Sequence, residues 1–188
     1  MDKAQFTSID RSTRRDWENI AQYDEGHLAE LPDRLLEVLA RMGEGDRDQP
    51  YQVTRLEHCL QTATRALHDG AEEEMVVAAL LHDIGDELAL FDHAEFAASI
   101  LKPYVSRKTH WIIQQHDVFQ GKYYWDHLDL DPDTREKFRD HPWFDACEAF
   151  CLNWDCPSFD PDYESLPLEH FVPMVRRIFA RKPFAASK

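Results

Sequence analysis

Val76-Val77-Ala78-Ala79-Leu80-Leu81-His82-Asp83-Ile84-Gly85 is an apolar run that ends in a His-Asp pair and a glycine. Acidic Glu72, Glu73 and Glu74 precede it and suit the first turn of a helix, at the positive end of its dipole. The pattern predicts a helix over 72–84. Imidazole and carboxylate are common ligands for zinc, iron and manganese. Neighbouring helix residues point about 100° apart, so His82 and Asp83 share one metal only where the helix ends and the backbone turns. Gly85 is read as that ending. The plain alternative is a capped core helix with a solvated Asp, so the rest of the chain decides.

Working outward, other stretches also read as helices. Pro32 suits the first turn of one carrying Leu35, Leu36, Val38, Leu39 and Met42, ended by Gly43 and Gly45. An earlier helix, capped by Asp10 or Ser12, carries Trp17, Ile20 and Tyr23. A loop over 44–52 leads to Thr54–Asp69, whose buried face is Leu56, Cys59, Leu60, Ala63 and Leu67 and which Gly70 stops. After a linker over 86–91, Asp92 caps a helix through Lys102 and Ser106 caps another to about Phe119. An aromatic loop at 121–125 follows, then short helices opened by Pro132 and Pro142, a Pro-rich acidic loop over 158–167 and a last helix to about Ala180. No strand pattern competes, so the expected fold is all-α, one domain over 1–188 with helices 10–43 and 167–180 packed on a core of about 51–156.

The net charge of −15 argues against nucleic acid or an anionic membrane as partner. No apolar stretch approaches a membrane span and no signal peptide is evident at Met1, so a cytoplasmic location is expected. Cys59, Cys147, Cys151 and Cys156 form no C-x-x-C and read as reduced, mostly core thiols; a metal role for Cys156, beside Asp155, is the weaker reading. Ten histidines are the compositional oddity.

A helical bundle builds metal sites from facing helices, and the candidates fit that plan. His58 stands one helix-turn-helix before His82 and Asp83; His93 starts the next helix, His116 lies near the end of the one after, and Asp155 ends a later one. His110, a rival to His93, falls in a polar first turn and reads as surface.

The order His58, His82-Asp83, Asp155 resembles the HD-domain superfamily, from about Tyr51 to Asp155. The resemblance implies a single HD-domain helical bundle. Its members include metal-dependent phosphohydrolases and a smaller group of mixed-valent diiron oxygenases with two additional histidines, where His93 and His116 stand here. Leu56-Glu57-His58-Cys59-Leu60-Gln61, Ala78 to Gly85 and Trp154-Asp155 are similar to stretches of the hydroxyphosphonate-cleaving oxygenases. The resemblance extends to the enzymes acting on 1-hydroxy-2-(trimethylammonio)ethylphosphonate and, at greater distance, to myo-inositol oxygenase. It implies one iron on His58, His82, Asp83 and Asp155, and a second on Asp83, His93 and His116, with Asp83 bridging. The catalytic residues it implies are Asp83, His93 and His116; the cofactors are Fe(II)/Fe(III), with O2 as co-substrate. The implied reaction removes the C1 hydrogen and cleaves the C–P bond to phosphate and a carboxylic acid, glycine betaine for the trimethylammonium substrate.

The chain departs from this pattern. Asp86 stands where such enzymes often carry a basic residue, and Gln120 occupies the place of a lysine four past His116. Lys122 or Arg55 is then expected to contact the substrate anion; Phe119, Tyr123, Tyr124 and Trp125 with Asp86 would suit a quaternary ammonium group. Tyr51 is a candidate gate over the open iron, with altered O2 reactivity expected for Tyr51→Phe in the absence of substrate. The alternative function is an HD phosphohydrolase acting on a nucleotide or phosphate monoester, in which metals lower the pKa of water. A third reading is a non-catalytic HD-fold binding module, against which an intact ligand set argues. The expected partner is a small hydroxyphosphonate or related α-hydroxy compound.

Overall fold

Apolar residues of α4, Glu73–Leu81, face neighbours on every side, and Val76 to Leu81 are fully buried. A helix apolar all round belongs in the middle of a core, and the fold is arranged about it. The computed structural model describes residues 3–44, 50–86 and 88–185. It is all-α, with no strand among the described residues.

α4 packs against α3 (Arg55–His68), α6 (Arg107–Gln120) and α8 (Leu168–Phe179), while α5 (His93–Leu101) and α7 (Phe144–Phe150) pack on α6. The pair α1 (Arg14–Ala29) and α2 (Leu31–Met42) packs on the side of α8. Leu39 of α2, Val175 and Ile178 of α8, and Cys59, Ala63 and Ala66 of α3 close the core. Full burial of a leucine such as Leu80 contributes about 1.5–3 kcal/mol. A polar tie joins α4, α6 and the segment that follows α8: Glu74 accepts from Ser106 N (3.1 Å), Thr109 Oγ1 (2.8 Å) and Arg181 Nη1 (2.7 Å).

Local signals explain most boundaries. Thr54 and Glu57 make a reciprocal capping box at the start of α3, and the Ser106 hydroxyl accepts from Thr109 N at the start of α6. Gly70, at φ +75°, takes the left-handed turn that ends α3.

Several expectations are corrected. The cap of α1 is Thr13, boxed with Asp16, rather than Asp10 or Ser12, which belong with a short 3-10 turn; Trp17 and Tyr23 of α1 are exposed. Gly43 is the C-cap of α2; Gly45 lies outside the described residues, as does most of the expected 44–52 loop. Asp92 makes no side-chain cap on α5. The helix expected from Pro132 is a 3-10 turn, Thr134–Phe138, and that from Pro142 is α7 followed by a π-helical turn, Cys151–Asp155.

The decisive run also ends differently. α4 stops at Leu81, and His82 to Asp86 form tight turns. Gly85 is not in the left-handed region. Its role is a close approach: an added Cβ would lie 2.9 Å from Phe96 Cβ and 3.0 Å from His93 O. Packing α5 this tightly brings His93 toward Asp83. Gly85→Ala is expected to destabilise by about 1–3 kcal/mol and to lower Tm by roughly 2–4 °C per kcal/mol. A thermal melt with unchanged Tm would show that α5 has room to shift.

Candidate metal centre

Six side chains converge where α3, the end of α4, the start of α5, the end of α6 and the π-helical turn meet. His58, His82, Asp83, His116 and Asp155 are buried, and the His93 side chain is 21% exposed. The π turn brings Asp155 inward. It adds one residue per turn, its closing bond runs from Cys156 N to Cys151 O (2.8 Å), and such turns recur at functional sites. Trp154 Nε1 pins it by donating to Asp69 Oδ2 at 2.8 Å.

The two oxygens of Asp83 face different partners. Oδ2 lies 3.3 Å from His58 Nε2 and 3.4 Å from His82 Nε2. On that side Asp155 Oδ1 lies 3.3 Å from His58 Nε2 and 3.6 Å from His82 Nε2. Oδ1 of Asp83 lies 3.2 Å from His116 Nε2 and 3.5 Å from His93 Nε2. Asp83 thus lies between two pairs of imidazoles, and the groups close enough to hold an ion are His58, His82 and Asp155; His82, Asp83 and His116; and Asp83, Asp86 and His93.

The outer nitrogen of every histidine is fixed by a backbone carbonyl. His58 Nδ1 donates to Ser158 O (2.9 Å), His82 Nδ1 to Ala79 O (2.7 Å), His116 Nδ1 to Ile113 O (2.7 Å) and His93 Nδ1 to Leu90 O (3.2 Å). A carbonyl only accepts, so Nδ1 carries the proton and Nε2 keeps its lone pair for the centre. His58 Nε2 and His82 Nε2 face each other at 3.1 Å, a spacing that either a proton on His58 or a metal ion between them accommodates. Asp155 Oδ2 is buried without a hydrogen-bond partner, while Gln120 Nε2 donates to Oδ1 at 2.9 Å. An orphaned buried carboxylate oxygen is costly. The donor set fits divalent or trivalent metal ions.

The electrostatics agree. Burial works against a charged imidazole at His58, yet hydrogen bonds to Asp155 and Asp83 and their charges outweigh it and push His58 up to about 10. His116 is pushed up to about 9 against its burial, through Asp83. Burial opposes charge on Asp83 and Asp155 too, but the surrounding imidazoles hold both below the usual carboxylate range. Without metal the carboxylates take protons on His58 and His116 as counter-charge; a metal ion supplies the same charge and releases the protons.

A cavity of about 510 Å³ opens onto the His93 side, lined by Tyr51, Arg55, Asp83, Asp86, Leu90, His93, Gln120, Tyr123, Tyr124, Cys156 and Phe159. Of the expected substrate contacts, Tyr51, Arg55, Asp86, Gln120 and Tyr123 are on this wall. Lys122 and Trp125 are not: Lys122 pairs with Asp133, and the Trp125 ring packs against Gly121. Asp86 does not stand free for a substrate cation, because Arg55 Nη1 meets its Oδ2 at 2.5 Å. Tyr51 stacks on Phe159, with ring centroids 5.4 Å apart. Phe159 and Leu90 were not singled out from sequence; the Phe159 ring stacks on His58 at 4.3 Å. The one available signal was its place four residues past Asp155. His110 is half-buried rather than on the surface, near Lys102 and Glu95 and apart from the cluster. All four cysteines are free thiols, and burial pushes Cys156 up to about 12.

Fold and site together define an all-α bundle whose helix ends gather histidines and aspartates into a cluster that could hold metal. The HD domain family model matches residues 55–142. The matched stretch holds five of the six converging residues, and Asp155 lies beyond it. No curated protein matches the chain. No helix among the described residues is long and apolar enough to cross a membrane.

Proposed function

We propose that the protein is a mixed-valent diiron oxygenase that uses O2 to cleave the C–P bond of a small 1-hydroxyphosphonate. The observation that carries this reading is the second donor set: His93 and His116 on Asp83 Oδ1, beside a complete first set on Oδ2. A single metal would need only His58, His82, Asp83 and Asp155. The extra pair makes the position that faces the cavity, with three protein donors and room for substrate.

His58, His82, Asp83 and Asp155 would hold one iron, and Asp83, His93 and His116 the other. When bound, the pair supplies O2 activation and a Lewis acid for the substrate's hydroxyl and phosphonate oxygens. The chain's own residues fix the geometry: the four Nδ1–carbonyl bonds orient the rings, and Gln120 holds Asp155. Phe159 covers His58 and keeps water from that side. A cavity of about 510 Å³ suits a small ligand. The aromatic wall of Tyr51, Tyr123, Tyr124 and Phe159 suits the trimethylammonium end of 1-hydroxy-2-(trimethylammonio)ethylphosphonate. The reaction balances without an external reductant: hydroxyphosphonate plus O2 gives carboxylic acid plus phosphate, and the substrate provides all four electrons. A net charge of −15 accords with a small-molecule enzyme that binds neither nucleic acid nor membrane, working in the cytoplasm.

The test is O2 uptake and phosphate release by iron-loaded protein given 1-hydroxyphosphonates, starting with the trimethylammonium compound. One phosphate per O2 is the expected result. Phosphate released from a monoester or nucleotide without O2 would replace this reading with the phosphohydrolase.

A further inference from the structure

Among the described residues, one side chain on the cavity wall carries a permanent positive charge. Asp83 and Asp86 are acids, Leu90, Cys156 and the aromatics are uncharged, and Arg55 is the cation. It is the first residue of α3, one turn before His58, so the capping box that starts the helix also places the guanidinium beside the centre.

Two contacts fix it. Arg55 Nη1 meets Asp86 Oδ2 at 2.5 Å, and Asp86 is only 8% exposed. The guanidinium carbon stands 4.7 Å from the centroid of the Tyr51 ring. The other oxygen of Asp86 lies 3.7 Å from His93 Nδ1, and His93 Nε2 lies 3.5 Å from Asp83 Oδ1. A continuous row therefore runs Arg55–Asp86–His93–Asp83 along the wall, from the cation to the second metal position. A guanidinium has five N–H donors in a planar fork. Asp86 engages it through one nitrogen, so donors remain for a ligand in the cavity. Its partly exposed side chain, 28%, gives a ligand access that a purely structural ion pair would not require.

We propose that Arg55 is the specificity-determining residue of the cavity, recognising the oxyanion group of a small substrate that also reaches the second metal position, through the donors that its contact with Asp86 leaves free. This rests on the reading that the cavity is the substrate site. Phosphonate and carboxylate both match the fork, so the substrate class is a small oxyanion.

The test is calorimetric titration of Fe(II)-loaded protein, without O2, using methylphosphonate and, separately, acetate. Arg55→Gln is expected to weaken binding about tenfold to a hundredfold, the range for a charge-assisted hydrogen bond. Arg55→Lys should recover part of the loss. Asp86→Asn should bind at least as tightly as the parent, because a competing negative charge is gone. Metal content and Tm, measured alongside, confirm that each variant is folded and loaded. Dependence on Arg55 for either probe supports the proposal, and the probe that shows it identifies the oxyanion. Unchanged binding by Arg55→Gln would overturn it. So would an Asp86→Asn loss as large as that of Arg55→Gln, which would make the ion pair merely structural. The oxygenase reading fails separately: parent protein that binds methylphosphonate through Arg55 but consumes no O2 with any hydroxyphosphonate refutes the chemistry and leaves the recognition standing.

Discussion

Asp83→Ala is expected to purify without either metal and without activity. Its Oδ2 serves the His58 and His82 side and its Oδ1 the His93 and His116 side, at 3.2–3.5 Å from each imidazole. One truncation therefore removes a donor from both positions, along with the negative charge that both cations need. The cavity-facing position would keep only two imidazoles. Losing a metal removes several kcal/mol of charge stabilisation, about a thousandfold or more in rate. Single-histidine variants separate the two sites: His116→Ala should lose the second metal and keep the first, whereas His58→Ala should impair the first. The fold should survive Asp83→Ala, because the helices meet through the apolar core around α4. Elemental analysis with circular dichroism checks this; a full metal complement in Asp83→Ala would contradict the bridging role.

The second large effect is on stability, and its sign follows from the titration of the cluster. His58 and His116, in protein stripped of metal by chelation, sit at about 10 and about 9, above the ordinary histidine value. Raised pKa values of this kind contribute stability that is fully present below about 6.5 and lost as pH rises through 9 to 10. Asp83 and Asp155 are lowered, so their contribution is present above the ordinary carboxylate range and lost on acidification. Stripped protein should therefore be most stable at mildly acidic pH and weaken toward pH 9. Loaded protein should hold its stability over this range, because the metals have already displaced these protons. Each metal displaces one of these protons, so below pH 9 each site gains about tenfold in affinity per pH unit. Two sites together add about 2.7 kcal/mol per unit to the stabilisation by metal. The Tm difference between loaded and stripped protein should widen by roughly 5–10 °C from pH 7 to 8. A gap independent of pH would mean that metal binding displaces no proton from the cluster.

How much of this was legible in the sequence depends on the range of the interaction. The convergence of the candidate residues was readable because local chemistry marks their helices: Thr54 before His58, Ser106 opening the helix of His116, and an apolar run closing on His82 and Asp83. The order of the α-helices followed from the same signals, although the one expected from Pro132 is a 3-10 turn. The π turn before Asp155 was not readable, because it differs from an α-turn by one residue and is fixed by Trp154 reaching Asp69, far away in sequence. The cap on α1 was missed because Asp10, Ser12 and Thr13 all have capping side chains, and only Thr13 is boxed by Asp16. The cavity wall was the least legible part. Phe159 meets His58 across the chain, Asp86 is neutralised by Arg55 from another helix, and Lys122 is drawn off by Asp133. Gly85 was singled out for the wrong reason: it makes room for α5 rather than turning left-handed.

The central claim is that two irons share the Asp83 carboxylate. The most direct measurement is iron content together with EPR spectroscopy of iron-loaded protein after one-electron reduction. About two irons per chain and a coupled mixed-valent signal, lost in Asp83→Ala, is the expected result. One metal per chain, or two with no magnetic coupling, would contradict it.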